Sequence, residues 1–293
     1  MILIPQRLFG NPEVTTLLRD GNVCILEKKM SQSLYQREGY VSNHVIVLLL
    51  AGQQQIKTYE EKTIRVEAGE ILFIPRGLYY ITDLIPEEGD FHSLLFYFDD
   101  AIIQEFLSTV RVSNITKKDI PEFLKLGTVP TVRLFAQSLI QIYQSQHLKN
   151  KNFLDLKILE LLHLLNGLIT EQVFTEFLFQ LTLPKKRNIK TFIENNFDKP
   201  LKIEDYAYLT GRSVSTFRKD FKEQFHTTPK KWLKENRIKK AVHLLEEQER
   251  SITQLAYDVG YENISYFIKE FKAQVGHSPK QYLLLKHRNN LSN

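Results

Sequence analysis

The chain has one cysteine, Cys24, in 293 residues, and no two of its eight histidines are separated by a single residue. One thiol excludes an intramolecular disulfide framework and a thiolate cluster for zinc, and it fits a reducing, cytoplasmic setting. No stretch reaches the ~18 uninterrupted apolar residues of a membrane span. The start, MILIPQR, has its charge after a short apolar run and does not have the order of a signal peptide. Length suggests about two domains, each able to bury its own core.

The basic excess is concentrated in the C-terminal part. From Lys185 to Asn293 there are 22 Lys+Arg against 13 Asp+Glu, a balance of +9, while residues 1–184 carry −4. A basic half joined to a mildly acidic one directs only the C-terminal half toward a polyanion. By itself such a run is more often a solvated face.

Here the basic half also carries an internal repeat. Residues 203–222 (IEDYAYLTGRSVSTFRKDFK) and 252–272 (ITQLAYDVGYENISYFIKEFK) spell the same helix-turn-helix twice. Ala207, Tyr208 and Gly211 recur at Ala256, Tyr257 and Gly260, 49 residues on. Beyond the turn the offset is 50, because the second turn holds one more residue: Phe217, Lys219, Phe221 and Lys222 recur at Phe267, Lys269, Phe271 and Lys272. Pro229-Lys230 and Leu233 recur at Pro279-Lys280 and Leu283. On the second helix of the first module, Phe217, Phe221 and Phe225 fall four apart and face inward. Ser215, Arg218, Lys219 and Lys222 then face outward, a stripe suited to the major groove. Arg218 is the candidate for bidentate contact with guanine, Ser215 for either base type, and Lys222 for phosphate. In the second module Asn263 is the expected cap. Ser265, Ile268, Lys269 and Lys272 face out, Ile268 standing where the first module has Arg218. Between the modules, Pro229 opens a helix of about 16 residues (~24 Å) that spaces the two reading helices by about one DNA turn.

The N-terminal hundred residues spell short β-rich runs at Val23–Leu26, Val45–Leu50, Gln54–Tyr59, Thr63–Val66, Ile71–Ile74, Leu78–Thr82 and Phe91–Phe98, punctuated by Gly and Pro. Such spacing favours a small barrel or jelly roll. The stretch EAGEILFIPRG (67–77) has the turn–strand–turn cadence of a cupin-type hairpin. Cupin enzymes usually hold metal through a His-x-His pair. His44 and His92 stand alone, which makes them barrel or surface histidines rather than ligands, so no metal or other cofactor is expected. Tyr40, His44, Tyr59, Arg76, Tyr79 and Tyr80 are candidates for an effector pocket or its rim, although barrel aromatics are more often packing.

Helices follow: one capped by Asp99 or Asp100 through about Val110, one over Thr131–His147 with Leu134, Phe135, Leu139, Ile142 and Tyr143 in phase, and one over Phe153–Thr170. The last carries Leu154, Ile158, Leu161, Leu162, Leu165 and Leu168 on one stripe, as core or as a homodimer seam. The expected layout is α+β. A cupin-like β-barrel with appended helices, regulatory or dimerising, occupies 1–182. A linker at 183–187, whose basic run can also touch DNA backbone, leads to an all-α double helix-turn-helix domain over 188–293. Asn188–Asn196 forms its first helix, with Ile189, Phe192 and Ile193 inward.

Residues 188–288 resemble the AraC/XylS family of bacterial transcription regulators, most specifically through the second module and the GHSPKQY that follows it (276–282). Residues 69–77 are similar to the family's cupin-type regulatory domain. Together with DLKILELLHLL (155–165), they resemble the ExsA/LcrF-type activators of type III secretion genes. The resemblance implies a sequence-specific, promoter-binding activator that contacts RNA polymerase, often as a homodimer through its N-terminal domain. A small-molecule effector or a regulatory protein would control it. The rival reading is a cupin-type metalloenzyme fused to a DNA-binding tail. Departures are His226, where the second module has Gly276, and Ile264 and Ile268 at outer positions that are usually polar.

Overall fold

Hydrophobic runs with no polar alternation predict strands covered on both faces, and this is how the N-terminal half is built. In the computed structural model, which describes residues 2–58, 62–85, 89–110, 123–127, 129–143, 151–169, 171–183, 186–247 and 250–290, the chain divides into two compact units, Met1–Leu183 and Pro184–Asn293.

The first unit holds β1 (Ile2–Ile4), β2 (Val14–Asp20), β3 (Val23–Met30), β4 (Leu34–Val41), β5 (His44–Ala51), β6 (Gln53–Thr58), β7 (Thr63–Glu67), β8 (Ile71–Ile74), β9 (Gly77–Leu84), β10 (Phe91–Phe98) and β11 (Leu124–Leu126). They form a five-stranded sheet in the order β1-β4-β9-β6-β7 and a six-stranded sheet in the order β11-β8-β5-β10-β3-β2. The expected barrel is therefore two separate sheets, cupin-like in their strands, rather than one closed ring. One core lies between them. Cys24, Leu26, Val45, Val47, Leu72, Leu95 and Tyr97 from the six-stranded sheet meet Ile56, Val66 and Tyr79 from the other. The alternate residues Ile25, Ile46, Leu48, Phe73, Leu94, Phe96 and Phe98 pack outward under helices. That double burial explains the unbroken apolar runs of β5 and β10. In β6, by contrast, buried and part-exposed positions alternate. A buried ion pair spans the inter-sheet space: Lys28 Nζ lies 2.6 Å from Asp83 Oδ2, and Gln54 Nε2 donates to Asp83 Oδ1 at 2.6 Å. The carboxylate is thus hydrogen-bonded as well as paired, which offsets part of the cost of burying its charge.

The covering helices are α1 (Asp100–Thr109), α2 (Pro130–Tyr143), α3 (Lys151–Leu168) and α4 (Glu171–Leu181). Asp99 caps α1 by accepting from the backbone N–H groups of Ala101 and Ile102. On α2 the buried stripe is Val132, Phe135, Ala136, Leu139 and Tyr143. Leu134 (66% exposed) and Ile142 (44%) lie off it, correcting the expectation that they share the inward phase. The stripe of α3 from Leu154 to Leu165 is buried as expected, but Leu168 at the last turn is exposed. Strands β1, β2, β4 and β11 and helix α4 have no counterpart in the sequence reading. β1 has three residues, and β4 breaks its alternation at a bulge between Leu34 and Arg37. Tyr59, Pro121, His147 and Thr170 lie outside the described residues, as do 184–185 of the expected linker.

The second unit is helical: α5 (Ile189–Asn196), α6 (Ile203–Leu209), α7 (Val214–Phe225), α8 (Pro229–Glu247), α9 (Ile252–Asp258), α10 (Ile264–Val275) and α11 (Pro279–Asn290). Ile189 and Ile193 of α5 are buried, with Phe192 at the margin. Among the described residues no helix is long and apolar enough to cross a membrane.

Candidate nucleic-acid interface

Both modules of the second unit begin from a small residue that lets two helices approach. Ala207 on α6 and Ala256 on α9 are buried against α7 and α10. Gly211 and Gly260 then turn the chain with φ of 67° and 81°, a region L side chains rarely enter. Ser213 caps α7 by accepting from Thr216 N–H at 3.2 Å, and Asn263 caps α10 by accepting from Tyr266 N–H at 2.8 Å. Asn263 is thus engaged as a cap through its carbonyl oxygen.

The inner face of α7 is aromatic. Phe217 and Phe221 are fully buried, the rings of Phe221 and Phe225 stack at 4.3 Å, and Trp232 closes edge-on against Phe225 at 4.9 Å. Tyr206 of α6 lies parallel to Phe217 at 6.5 Å and donates its hydroxyl to Asn196 O at 2.8 Å. Burial pushes that phenol up to about 12, so it remains a donor. On α10, Phe267 and Phe271 repeat the stripe, and Tyr282 of α11 takes the place of Trp232 against Phe271 at 6.1 Å.

With the apolar face fixed, the opposite faces follow from the 3.6-residue period. Ser215, Arg218, Lys219 and Lys222 are all exposed on α7, and Ser265, Ile268, Lys269 and Lys272 are all exposed on α10. The structure therefore brings each expected set together on one helix face. Ser215 also shares its hydroxyl with Ser213 at 3.0 Å. The sequence reading passed over Thr216 and Tyr266, both exposed on the first turns of these helices. The offset that pairs Phe217 with Phe267 also pairs them, and was the available signal. It passed over Arg212 too. This guanidinium, in the first turn, pairs with Asp220 Oδ2 at 2.7 Å and donates to Thr210 O at 2.6 Å and Arg187 O at 2.9 Å, bracing α7 against its own module.

The candidate effector residues of the first unit also meet, but they bond to one another. Arg76 Nε donates to Tyr40 Oη at 2.7 Å, and Arg76 N–H donates to His44 Nδ1 at 3.2 Å. His44 Nε2 therefore carries the proton given to Asp100 Oδ1 at 3.0 Å. That bond, aided by Arg76, holds the Asp100 carboxyl below its usual range. Tyr79 donates to Pro75 O at 2.8 Å. Tyr40 and His44 are buried, Tyr80 lies within β9, and Tyr59 is outside the described residues. His92, alone as expected, bonds Glu27 at 2.9 Å. Among the described residues no group of three His, Cys, Asp or Glu is placed to hold a metal.

Comparison with known proteins falls along the same two units. Residues 44–177 match the model of the ExsA N-terminal regulatory domain, and residues 206–284 match a helix-turn-helix domain. The chain is 26% identical over 250 residues to the virulence regulon transcriptional activator VirF of Yersinia enterocolitica, covering 82% of this chain and 89% of that protein. To the HTH-type transcriptional regulator ExsA of Pseudomonas aeruginosa it is 23% identical over 241 residues, covering 80% and 84%. Apo ToxT from Vibrio cholerae aligns in structure at 11% identity over 91% of this chain and 99% of that one, with a TM-score of 0.45, a likeness too loose to bear on the assignment. The regulatory-domain match, the helix-turn-helix match and relatives aligned over most of both chains agree: the chain joins an ExsA-type regulatory domain to an AraC-type helix-turn-helix domain, and it is a DNA-binding transcription regulator, not an enzyme.

Proposed function

We propose that the chain activates transcription by laying α7 and α10 in two successive major-groove segments of promoter DNA. The observation that carries this is the pair of matched exposed faces, Ser215–Arg218–Lys219–Lys222 and Ser265–Ile268–Lys269–Lys272, each backed by a buried phenylalanine stripe. Helix α8 has 19 residues, ~28 Å at 1.5 Å per residue, a span compatible with reading sites about one turn (~34 Å) apart. Arg218 carries base discrimination in the first module, while Ile268 offers the second only an apolar contact such as a thymine methyl. Lys219, Lys222, Lys269 and Lys272 bind phosphate, and Ser215, Asn263 and Ser265 add polar contacts near the helix starts. The first module is therefore the more discriminating.

Control enters through the first unit, by a small effector or by a regulatory protein, and the unit also pairs two copies of the chain. Leu134, Ile142, Phe153 and Leu156, exposed on α2 and α3, supply apolar surface for pairing. The rim residues Tyr40, His44, Arg76 and Tyr79 are the groups an effector would have to rearrange. That VirF is a transcriptional activator supports contact with RNA polymerase, and work on promoter DNA puts the chain in the cytoplasm.

Gel shifts at fixed salt test the reading face. Arg218→Ala should cost ~1–3 kcal/mol on the preferred operator and relax one base position. Lys222→Ala should weaken specific and non-specific binding alike and reduce the salt slope by about one. An Arg218→Ala protein unchanged on every operator variant would put the reading face elsewhere. A second test concerns the first unit: DNA binding that needs no ligand but disappears when residues 1–170 are deleted makes pairing its main contribution.

A further inference from the structure

A single helix joining two modules sets their distance but leaves their rotation about its axis to whatever else touches them. Here something else does. Arg237, near the middle of α8, spends its guanidinium on three backbone carbonyls from both modules. Nε donates to Phe197 O at 2.7 Å and Nη2 to Lys199 O at 2.5 Å, in the segment that leads into the first module. Nη1 donates to Gly260 O at 3.1 Å, in the turn of the second. The same guanidinium lies 5.8 Å from the ring centroid of Tyr261. One turn along α8, Lys240 Nζ bonds Asp198 Oδ2 at 2.5 Å, within that lead-in segment. Lys234 of α8 pairs with Glu270 of α10.

The backbones themselves are in contact. A Cβ at Gly260 would sit 2.7 Å from Asp198 O and 2.9 Å from Lys199 O, so the second turn is seated directly on the first module's lead-in. Neither the turn itself nor the repeat demands this. Arg237 has no exposed reading face, and its fork geometry matches three fixed acceptors in a way a lysine's point charge would not.

We infer that Arg237 is a positioning residue for DNA reading, fixing the rotational phase of α10 relative to α7 and so the spacing between the two segments the chain accepts. This rests on the two-module reading above. One base pair more or less between the segments turns the second by roughly a tenth of a helical turn. A pair of modules locked in phase must lose contacts when that happens, and a pair free to rotate need not.

The probes are duplexes recovered by the full chain from a randomised 30-base-pair pool, then remade with one or two base pairs inserted or removed between the protected segments. The unchanged protein should prefer its selected spacing over the shifted duplexes by about tenfold or more, the scale of one lost base contact. Arg237→Met should bring that ratio close to one, by losing affinity for the selected spacing while holding its affinity for the shifted ones. A merely structural role would lower both in parallel and keep the ratio, and that result overturns the inference. Lys240→Ala, at the edge of the same junction, is the second variant should Arg237→Met not fold, and its ratio should fall in the same direction; an unaltered ratio in Lys240→Ala then counts against the inference as well. If the selected duplexes show one protected segment only, the two-module reading fails first. Two segments with a ratio untouched by these substitutions sinks the positioning role alone.

Discussion

Two residues where the repeat and the structure part company show what single positions carry. His226 and Gly276 end α7 and α10 in the same way, each left-handed and each donating its N–H to a lysine carbonyl one turn back at 2.9 Å. Gly276 does so at φ 87°, where glycine is at ease, and His226 at φ 55°, where a side chain meets the carbonyl that follows. His226→Gly should therefore stabilise the second unit by roughly 0.5–1 kcal/mol, the relief of strain less the added freedom of the unfolded chain. Chemical denaturation would show it as a raised midpoint at an unchanged slope. A lowered midpoint would mean the histidine makes a contact worth more than its strain. Cys24 makes a second residue-scale case. It is fully buried between the sheets, and burial pushes its thiol up to about 12. At pH 8 the native chain should resist alkylation, and labelling should track unfolding of the first unit. Stoichiometric labelling within minutes under native conditions would contradict that burial. Of the candidate site, the outward residues of α7 and α10 were legible from phenylalanine spacing alone. The side chains that brace the modules were not. Arg212 and Arg237 each reach a carbonyl far away in sequence, that of Arg187 and that of Phe197, and nothing in their local pattern separates them from surface arginines.

At the scale of elements, legibility followed periodicity. Strands β5, β8 and β10 announced themselves because both faces are buried, and α1 and α7 because a capping side chain precedes an apolar stripe. Helix α2 misled by one position. Leu134 and Phe135 are neighbours at 100° on the wheel, and only contact with the sheet decides that Phe135 goes in, stacking on Phe96 at 6.1 Å. Strand β4 was lost because Tyr35, Gln36 and Arg37 face water and Gln36 sits in a bulge at φ 41°. The β3–β10 rung holds a pH response. His92 bonds Glu27 at 2.9 Å, and Lys29 Nζ reaches the same carboxylate at 2.7 Å. Burial, opposed by Glu27, lowers the proton affinity of His92. A histidine whose folded value lies below its unfolded value of ~6.5 adds stability that is complete above that value and lost as pH falls through the folded one. The first unit should therefore weaken as pH falls below about 6.5, and His92→Gln should flatten that part of the profile. A slope unchanged by the substitution would assign the response to other groups.

Across the whole molecule, two units divide the labour that charge had already separated. The acidic half carries two sheets, the six-stranded one packed under α1, α2, α3 and α4. The basic half repeats one module so faithfully in its core that Phe, Ala, Gly and Pro positions recur, yet diverges on its outer face at Arg218 and Ile268. Duplication accounts for the fold of the second unit, and divergence makes its two reading helices unequal. Of the barrel or jelly roll expected of the first unit, the described residues form the two-sheet version, cupin-like in its strands. Alternation along strands shows which face is buried, but not whether the edge strands β7 and β11 ever meet. The most direct test is a base-resolved protection and interference map of the full chain on its selected duplex. Two major-groove segments about one turn apart on one face of the DNA should be protected. Arg218→Ala should remove base dependence in one segment and leave the other intact. Protection of a single segment, or loss of base dependence in both at once, would contradict a chain that reads DNA twice.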